Sequence, residues 1–188
     1  MQRPSSLADV HVKSCRSSNR GVGIEGLFRP EQMAVPFELK QVLAAVVRLH
    51  TPIYFHITVV ERVADADRRL FPGCWDIAGG HVDPGETFDA ALAREIREET
   101  GWRLRRFVRF VAIVDWEAKR QGQVVAKREF NFLLEVDGDL TAPAIEAEKF
   151  SIFRWVGRDE LALLDENRRE GDTMIRQLVT KGLELAAG

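Results

Sequence analysis

Three glutamates lie close together in a segment whose spacing predicts an α-helix. The segment Phe88–Thr100 is rich in Ala, Glu, Arg and Leu, and Gly101 follows it where a helix C-cap belongs. At about 100° per residue, Glu95, Glu98 and Glu99 span an arc of roughly 100°, so their carboxylates share one face. Like charges at this spacing repel one another. A divalent cation relieves the repulsion, and carboxylate oxygens suit Mg²⁺ or Mn²⁺.

The residues before this helix are rich in glycine. Gly79-Gly80 and Pro84-Gly85 predict a loop whose backbone can approach a ligand closely. Glu86 lies near the helix start, where the helix dipole favours an acid. Helical geometry directs Arg94 and Arg97 away from the glutamate face. From the helix alone, a solvated charged face is an equal alternative to a cation site.

The spacing of these residues resembles the signature of the Nudix hydrolase family. Counted from Gly80, five residues lead to Glu86 and seven more lead to Arg94, after which the chain reads REIREETGW and ends the match at Trp102. Every fixed position of the signature is present. Trp102 stands where an aliphatic residue is usual, and we expect it only to pack. Shorter similarities extend the resemblance to roughly residues 40–165.

The resemblance implies a fold, a reaction and a set of metal ligands. The implied fold is an α/β/α sandwich with a mixed sheet. The implied reaction is hydrolysis of a nucleoside diphosphate linked to another moiety, in which water attacks phosphorus with the help of Mg²⁺ or Mn²⁺. The implied ligands of the cation are Glu95, Glu98 and Glu99, together with the carbonyl of Gly80.

The resemblance also implies roles for other charged residues. It implies that Arg94 orients a glutamate and that Glu86 holds the loop. The general base varies in the family, so either a glutamate of the signature, such as Glu95 or Glu98, or an acid in a later loop can serve. The later candidates are Glu146 and Glu148, of which we take Glu148 as the catalytic residue. The alternative for these two acids is solvated loop charge.

The rest of the chain predicts a mixed α/β domain that positions this segment. A buried strand, a β-branched strand, the helix, a β-hairpin and a final strand follow in that order. The predicted strands are Gln41–Leu49, Ile53–Arg62, Arg106–Trp116, Val124–Val136 and Phe150–Val156; the further helices are Asp159–Leu164 and Asp172–Leu185; the loops are Ala64–Gly73 and Asp137–Ala144.

The first 36 residues differ from the domain predicted at residues 37–188. They are basic and rich in serine at their start, so we expect a poorly ordered extension. This composition is also typical of an organellar transit peptide, and a true start at Met33 is a third alternative. We expect a cytoplasmic protein, with organellar import as the minor alternative.

Composition limits the partners of the chain. Its 188 residues carry a formal net charge of −2, which gives no electrostatic argument for a nucleic acid or a membrane surface as partner. The longest apolar run, Val42–Val47, is too short to span a bilayer. Two cysteines cannot form a disulfide framework or a four-ligand zinc site. We therefore expect a small-molecule partner, a nucleotide or another diphosphate.

The substrate and the assembly stay open at this point. ADP-ribose hydrolases of the family often carry a proline in a region that here reads Trp116-Glu117-Ala118. Relatives that act on dinucleoside polyphosphates often carry a tyrosine near the same place, but the only tyrosine of this chain is Tyr54. Dimers are common in the family, so a homodimer is an open alternative. Two other functions on this fold are an isopentenyl-diphosphate isomerase-like enzyme and a non-catalytic nucleotide-sensing module. The intact signature favours the hydrolase.

Overall fold

The structure is a computed structural model that describes residues 39–50, 54–62, 73–120, 123–165 and 172–187. The predicted extension at residues 1–36 and most of the predicted Ala64–Gly73 loop lie outside the described residues. In the described part of the chain, no helix is long and apolar enough to cross a membrane.

The elements follow the order that the sequence predicts, with strands, a helix, further strands and then further helices. Each of the five predicted strands is present, and the helix Phe88–Thr100 and the strand Phe150–Val156 have the predicted bounds. The described elements are β1 (Leu39–His50), β2 (Tyr54–Arg62), β3 (Trp75–Asp76), β4 (Ala78–His81), α1 (Phe88–Thr100), β5 (Arg103–Arg120), β6 (Gln123–Asp137), β7 (Phe150–Val156), a 3₁₀ helix (Arg158–Leu164) and α2 (Met174–Ala187).

One local prediction is wrong. Gly79-Gly80 lies in the short strand β4 rather than in a loop, because pairing with β1 supplies backbone hydrogen bonds that compensate for the weak strand preference of glycine. The predicted helix Asp159–Leu164 is present as part of a 3₁₀ helix, in which Glu160 N–H donates to Gly157 O at 3.2 Å. Short helical connectors commonly adopt this tighter form.

The sheet brings residues that are distant in the sequence side by side. Its strand order is β3-β2-β1-β6-β5, with β4 paired to β1 and β7 paired to β2. β1 runs parallel to β6 and antiparallel to β4, so Val42 has Phe130 on one side and Gly80 on the other. The glycine pair of β4 therefore lies on the side of β1 that faces away from β6.

The two faces of the sheet are covered by different helices. Phe132 of β6 belongs to a buried cluster with Leu92 of α1, whereas the next residue, Leu133, belongs to a second cluster with Val179 of α2. Successive side chains of a strand point to opposite faces. The sheet is thus packed between α1 and α2, which confirms the predicted α/β/α sandwich.

The ends of α1 are capped by Thr87 and by Gly101, the predicted C-cap. Thr87 accepts a hydrogen bond from the N–H of Ala90, and Gly101 adopts the left-handed conformation with φ of 71°. Trp102, which follows the cap, is 1% exposed and stacks on Trp155 with ring centroids 5.7 Å apart. This confirms the expected packing role of Trp102.

Candidate active site

The glutamates of α1 meet the glycine pair of β4. The N–H of Gly79 donates to Glu99 Oε2 at 2.7 Å. A Cβ atom on Gly80 would overlap the carboxylate of Glu95, so any larger residue at this position would require that carboxylate to move. The carboxylates of Glu95 and Glu99 therefore lie against β4. This strand contains Gly80, whose carbonyl is the fourth metal ligand that the resemblance implies.

The three glutamates differ in their surroundings. Glu95 is 6% exposed and Glu99 is 2% exposed, whereas the side chain of Glu98 is 52% exposed. Glu95 and Glu99 are therefore buried, while Glu98 faces solvent. The helix thus presents two buried carboxylates and one that solvent can reach.

Arg94 connects these glutamates to the residues before α1. Its Nε and Nη2 donate to the two oxygens of Glu86 at 3.0 and 2.9 Å. Its Nη1 donates to Glu95 at 2.7 Å and to Glu98 at 3.3 Å. Helical geometry alone directed Arg94 away from the glutamate face, and that prediction is wrong because the long side chain turns back toward its neighbours. The orienting role implied by the resemblance stays a prediction, and these contacts supply the geometry it needs.

The charges of this network shift the pKa values of its members. The hydrogen bond from Arg94 lowers the pKa of Glu86 below its ordinary value of 4.5. The same contacts with Glu86 and Glu95 raise the pKa of Arg94. Burial raises the pKa of Glu95, although the hydrogen bond from Arg94 opposes this effect. The positive charge of Arg94 therefore offsets only part of the cost of burying the Glu95 carboxylate.

A lysine that the sequence reasoning missed lies beside the third glutamate. Lys149 Nζ is 3.4 Å from Glu99 Oε1 and 2.7 Å from Glu146 Oε2. The N–H of Glu146 donates to the carbonyl of Glu99 at 3.1 Å, which fixes this loop to the end of α1. Only the spacing of Glu146 and Lys149, three residues apart, could have indicated their pairing from the sequence.

Glu148, the acid taken as catalytic from the sequence, is exposed on the same loop. Within the described residues its carboxylate makes no ion pair with a lysine or arginine. Its neighbour Glu146 is half-buried and lies nearer to Glu99, to whose carbonyl its backbone is bonded. The structure thus fixes Glu146 to the end of α1 and leaves Glu148 exposed to solvent on the same loop.

The residues present fit a divalent cation in their chemistry. Glu95, Glu98 and Glu99 offer carboxylate oxygens, and Gly80 leaves room for the carboxylate of Glu95 against the strand backbone. Within the described residues, no three acidic, histidine or cysteine side chains already converge on one point. Arg94 and Lys149 contact these carboxylates instead, so the glutamate side chains must move closer together to bind a metal.

Comparison with known proteins places the same segment in a family. Residues 40–178 match the family model described as NUDIX domain. The chain is 34% identical over 109 residues to the nucleoside triphosphatase NudI of Enterobacter sp. (strain 638), a match that covers 54% of this chain and 74% of that protein. It is 33% identical over 113 residues to NudI of Escherichia coli (strain K12), covering 56% and 77%.

Solved structures share the fold at lower identity. A MutT NUDIX hydrolase from Burkholderia pseudomallei superposes with a TM-score of 0.55 at 24% identity, covering 76% of this chain and 96% of that chain. A MutT protein from Methanosarcina mazei Go1 superposes with a TM-score of 0.58 at 18% identity, covering 80% and 96%. The likeness at these identities is one of fold.

Proposed function

The chain belongs to the Nudix hydrolase family, and we propose that it hydrolyses a phosphoanhydride bond in a nucleoside triphosphate or in another nucleoside diphosphate linked to a further group, with Mg²⁺ or Mn²⁺ as cofactor. The observation that carries the proposal is the junction of β4 and α1. There the buried carboxylates of Glu95 and Glu99 lie against Gly79 and Gly80. Such a concentration of negative charge suits a metal-bridged polyanion.

Four groups would hold the cation: the carboxylates of Glu95, Glu98 and Glu99 and the carbonyl of Gly80. A bound divalent cation neutralises charge on phosphate oxygens and lowers the pKa of a bound water. Two of these ligands are buried and one is exposed, so the cation would lie where the helix meets solvent. A substrate phosphate could approach it from the solvent side.

Arg94 positions the acids rather than the substrate. Its three guanidinium nitrogens all bond to protein groups, so the contacts with Glu86, Glu95 and Glu98 hold these carboxylates in one arrangement. Charge-assisted bonds of this kind are stronger than neutral ones and fix geometry. Arg94 therefore organises the site through the glutamates.

A carboxylate accepts the proton of the attacking water. As the oxygen–phosphorus bond forms, the water gives up a proton to the base, and the bond between phosphorus and the bridging oxygen breaks. Glu98 is the first candidate because it is exposed and belongs to the signature. Glu148 is the second because it is exposed on the loop that Glu146 fixes to α1. Glu95 is less suited to this role because Arg94 and burial hold it in place.

Relatives favour nucleoside triphosphates as the first substrates to test. The two NudI proteins that resemble this chain are described as nucleoside triphosphatases. The chain also lacks the proline and the tyrosine that often mark relatives acting on ADP-ribose and dinucleoside polyphosphates. We therefore rank triphosphates above these two classes.

A substrate screen tests the proposal. The purified chain is incubated with Mg²⁺ or Mn²⁺ and with nucleoside triphosphates, nucleotide sugars, ADP-ribose and dinucleoside polyphosphates, and the products are identified by chromatography. We expect phosphate or pyrophosphate release from a triphosphate, lost on chelation of the cation. Glu95→Gln should abolish release, whereas Glu184→Gln on α2 should preserve it.

Two other outcomes would contradict hydrolysis. Isomerisation of a prenyl diphosphate without phosphate release would indicate the isomerase-like alternative. Tight binding of a nucleotide, with no product from any compound under either cation, would indicate a sensing module.

A further inference from the structure

We propose that Lys149 is the internal counter-ion of this site: its ammonium group neutralises Glu99 until a divalent cation binds, and then, still held by Glu146, contacts a phosphate of the substrate. This inference rests on the proposed metal-dependent hydrolysis and adds a substrate-contacting residue to it. In the absence of metal, Lys149 is a positioning residue for Glu99.

The first argument is the burial of Glu99. Its side chain is 3% exposed, and Lys149 Nζ lies 3.4 Å from its Oε1. An isolated carboxylate at this depth would be costly, so a cationic partner stabilises it. The side chain of Lys149 is itself about one-third exposed, so the partner of this buried carboxylate is in contact with solvent.

The second argument is that Lys149 can be displaced whereas Arg94 cannot. Arg94 uses Nε, Nη1 and Nη2 in bonds to protein oxygens, the shortest of them 2.7 Å long. Lys149 touches Glu99 through a single long contact, and a lysine ammonium is a point charge on a flexible stem. A divalent cation on Glu99 would repel this ammonium directly.

The third argument is that Glu146 keeps the displaced ammonium nearby. Glu146 Oε2 forms an ion pair with Lys149 Nζ at 2.7 Å, and the backbone N–H of Glu146 donates to the carbonyl of Glu99 at the end of α1. The ammonium group therefore stays close to the end of α1 when it leaves Glu99.

Metal binding without substrate gives the first test. Mn²⁺ binding is followed by electron paramagnetic resonance in the wild type, Lys149→Met, Lys149→Arg and the control Lys181→Met, whose lysine pairs with Glu184 on α2. We expect Mn²⁺ to bind Lys149→Met on the order of tenfold more tightly, because a repelling charge is removed. The arginine and control variants should resemble the wild type. Unchanged binding in Lys149→Met would overturn the counter-ion role, whereas a wild type that binds no Mn²⁺ would overturn the proposed function itself.

A measurement on the wild type covers the case in which Lys149→Met does not fold. The side-chain amine signals of ¹⁵N-labelled lysine are recorded by nuclear magnetic resonance during titration with Mg²⁺ alone. The Lys149 signal, assigned by its loss in Lys149→Arg, should shift on saturation while that of Lys181 stays in place. A Lys149 signal that does not move when Mg²⁺ is bound would overturn the displacement.

Steady-state kinetics tests the phosphate contact. With saturating Mg²⁺ and the nucleotide found in the screen, Lys149→Met should raise KM on the order of tenfold with a smaller change in kcat, because a ground-state contact is lost. Lys149→Arg should restore most of the KM. A normal KM in Lys149→Met would refute the contact.

Discussion

The N–H of Gly79 donates a 2.7 Å hydrogen bond to Glu99 Oε2, which ties the glycine pair of β4 to the last turn of α1. The two residues are twenty positions apart in the sequence, and one bond fixes the distance between the strand backbone and the carboxylates of the helix. The site therefore depends on the fit between the glycine pair of β4 and a helix face rich in acids.

Gly80→Ala should break that fit. The added methyl would overlap the carboxylate of Glu95, so Glu95 must move away from Arg94. We expect a loss of about 1–3 kcal/mol in the free energy of unfolding and at least about tenfold in metal-dependent activity. Denaturant unfolding and phosphate release measure both effects.

The matched control is Gly85→Ala. Gly85 has φ of 85° but nothing within 4 Å of an added Cβ atom. This change should cost about 1 kcal/mol from backbone strain alone and leave activity close to the wild type. Full activity in Gly80→Ala would show that Glu95 does not need its observed position.

Arg94→Lys should fail to replace the arginine. A lysine cannot give the paired bonds to both oxygens of Glu86 while also reaching Glu95. Activity should fall by at least about tenfold, mainly in kcat, because the acids lose their arrangement. Arg97→Lys, an exposed change on the same helix, is the control. Equal activities of the two variants would contradict the positioning role of Arg94.

Glu86→Gln should alter how stability depends on pH. Because Arg94 lowers the pKa of Glu86 below 4.5, the ionised carboxylate stabilises the folded chain above that pH, and the contribution is lost as pH falls through the lowered pKa. Near neutral pH the variant should be less stable by about 1–2 kcal/mol. The difference should shrink steadily below pH 4.5 in denaturant titrations. A difference that stays constant down to about pH 3 would contradict the linkage.

Gly101→Ala should loosen the contact between α1 and the loop that carries Lys149. Gly101 has φ of 71°, and its added Cβ atom would lie 2.9 Å from Cβ of Ala144. Strain and crowding together should cost about 2–4 kcal/mol. Adding Ala144→Gly to this variant should restore the part of the stability that is lost through crowding of the two Cβ atoms. A double-mutant cycle measures this recovery, and strictly additive effects of the two changes would refute the contact.

The parts of the fold that follow from local sequence could be predicted. α1 carries its own signals, because Thr87 and Gly101 cap it and its apolar residues repeat at helical spacing. β4 carries none, because adjacent glycines indicate a loop until β1 pairs with them. The spacing shared with the family indicated the acids of the site. Helical geometry alone gave a wrong direction for the side chain of Arg94.

Lys149 marks the limit of such reasoning. Its contact with Glu99 joins residues fifty positions apart, and it exists only because the chain after β6 returns to the end of α1. No periodicity or motif records a contact made by folding at that distance. The exposure of Glu98 is likewise set by what packs over the helix rather than by its position on the helix.

The most direct test of the account is the turnover of Glu98→Gln at saturating Mg²⁺. The change keeps the shape of an exposed side chain, so the fold should persist by circular dichroism, while kcat should fall on the order of a few hundredfold or more through loss of a metal ligand or base. Glu184→Gln, an exposed glutamate on α2, should keep wild-type turnover. Unchanged turnover in Glu98→Gln would contradict the assignment of the site to these glutamates.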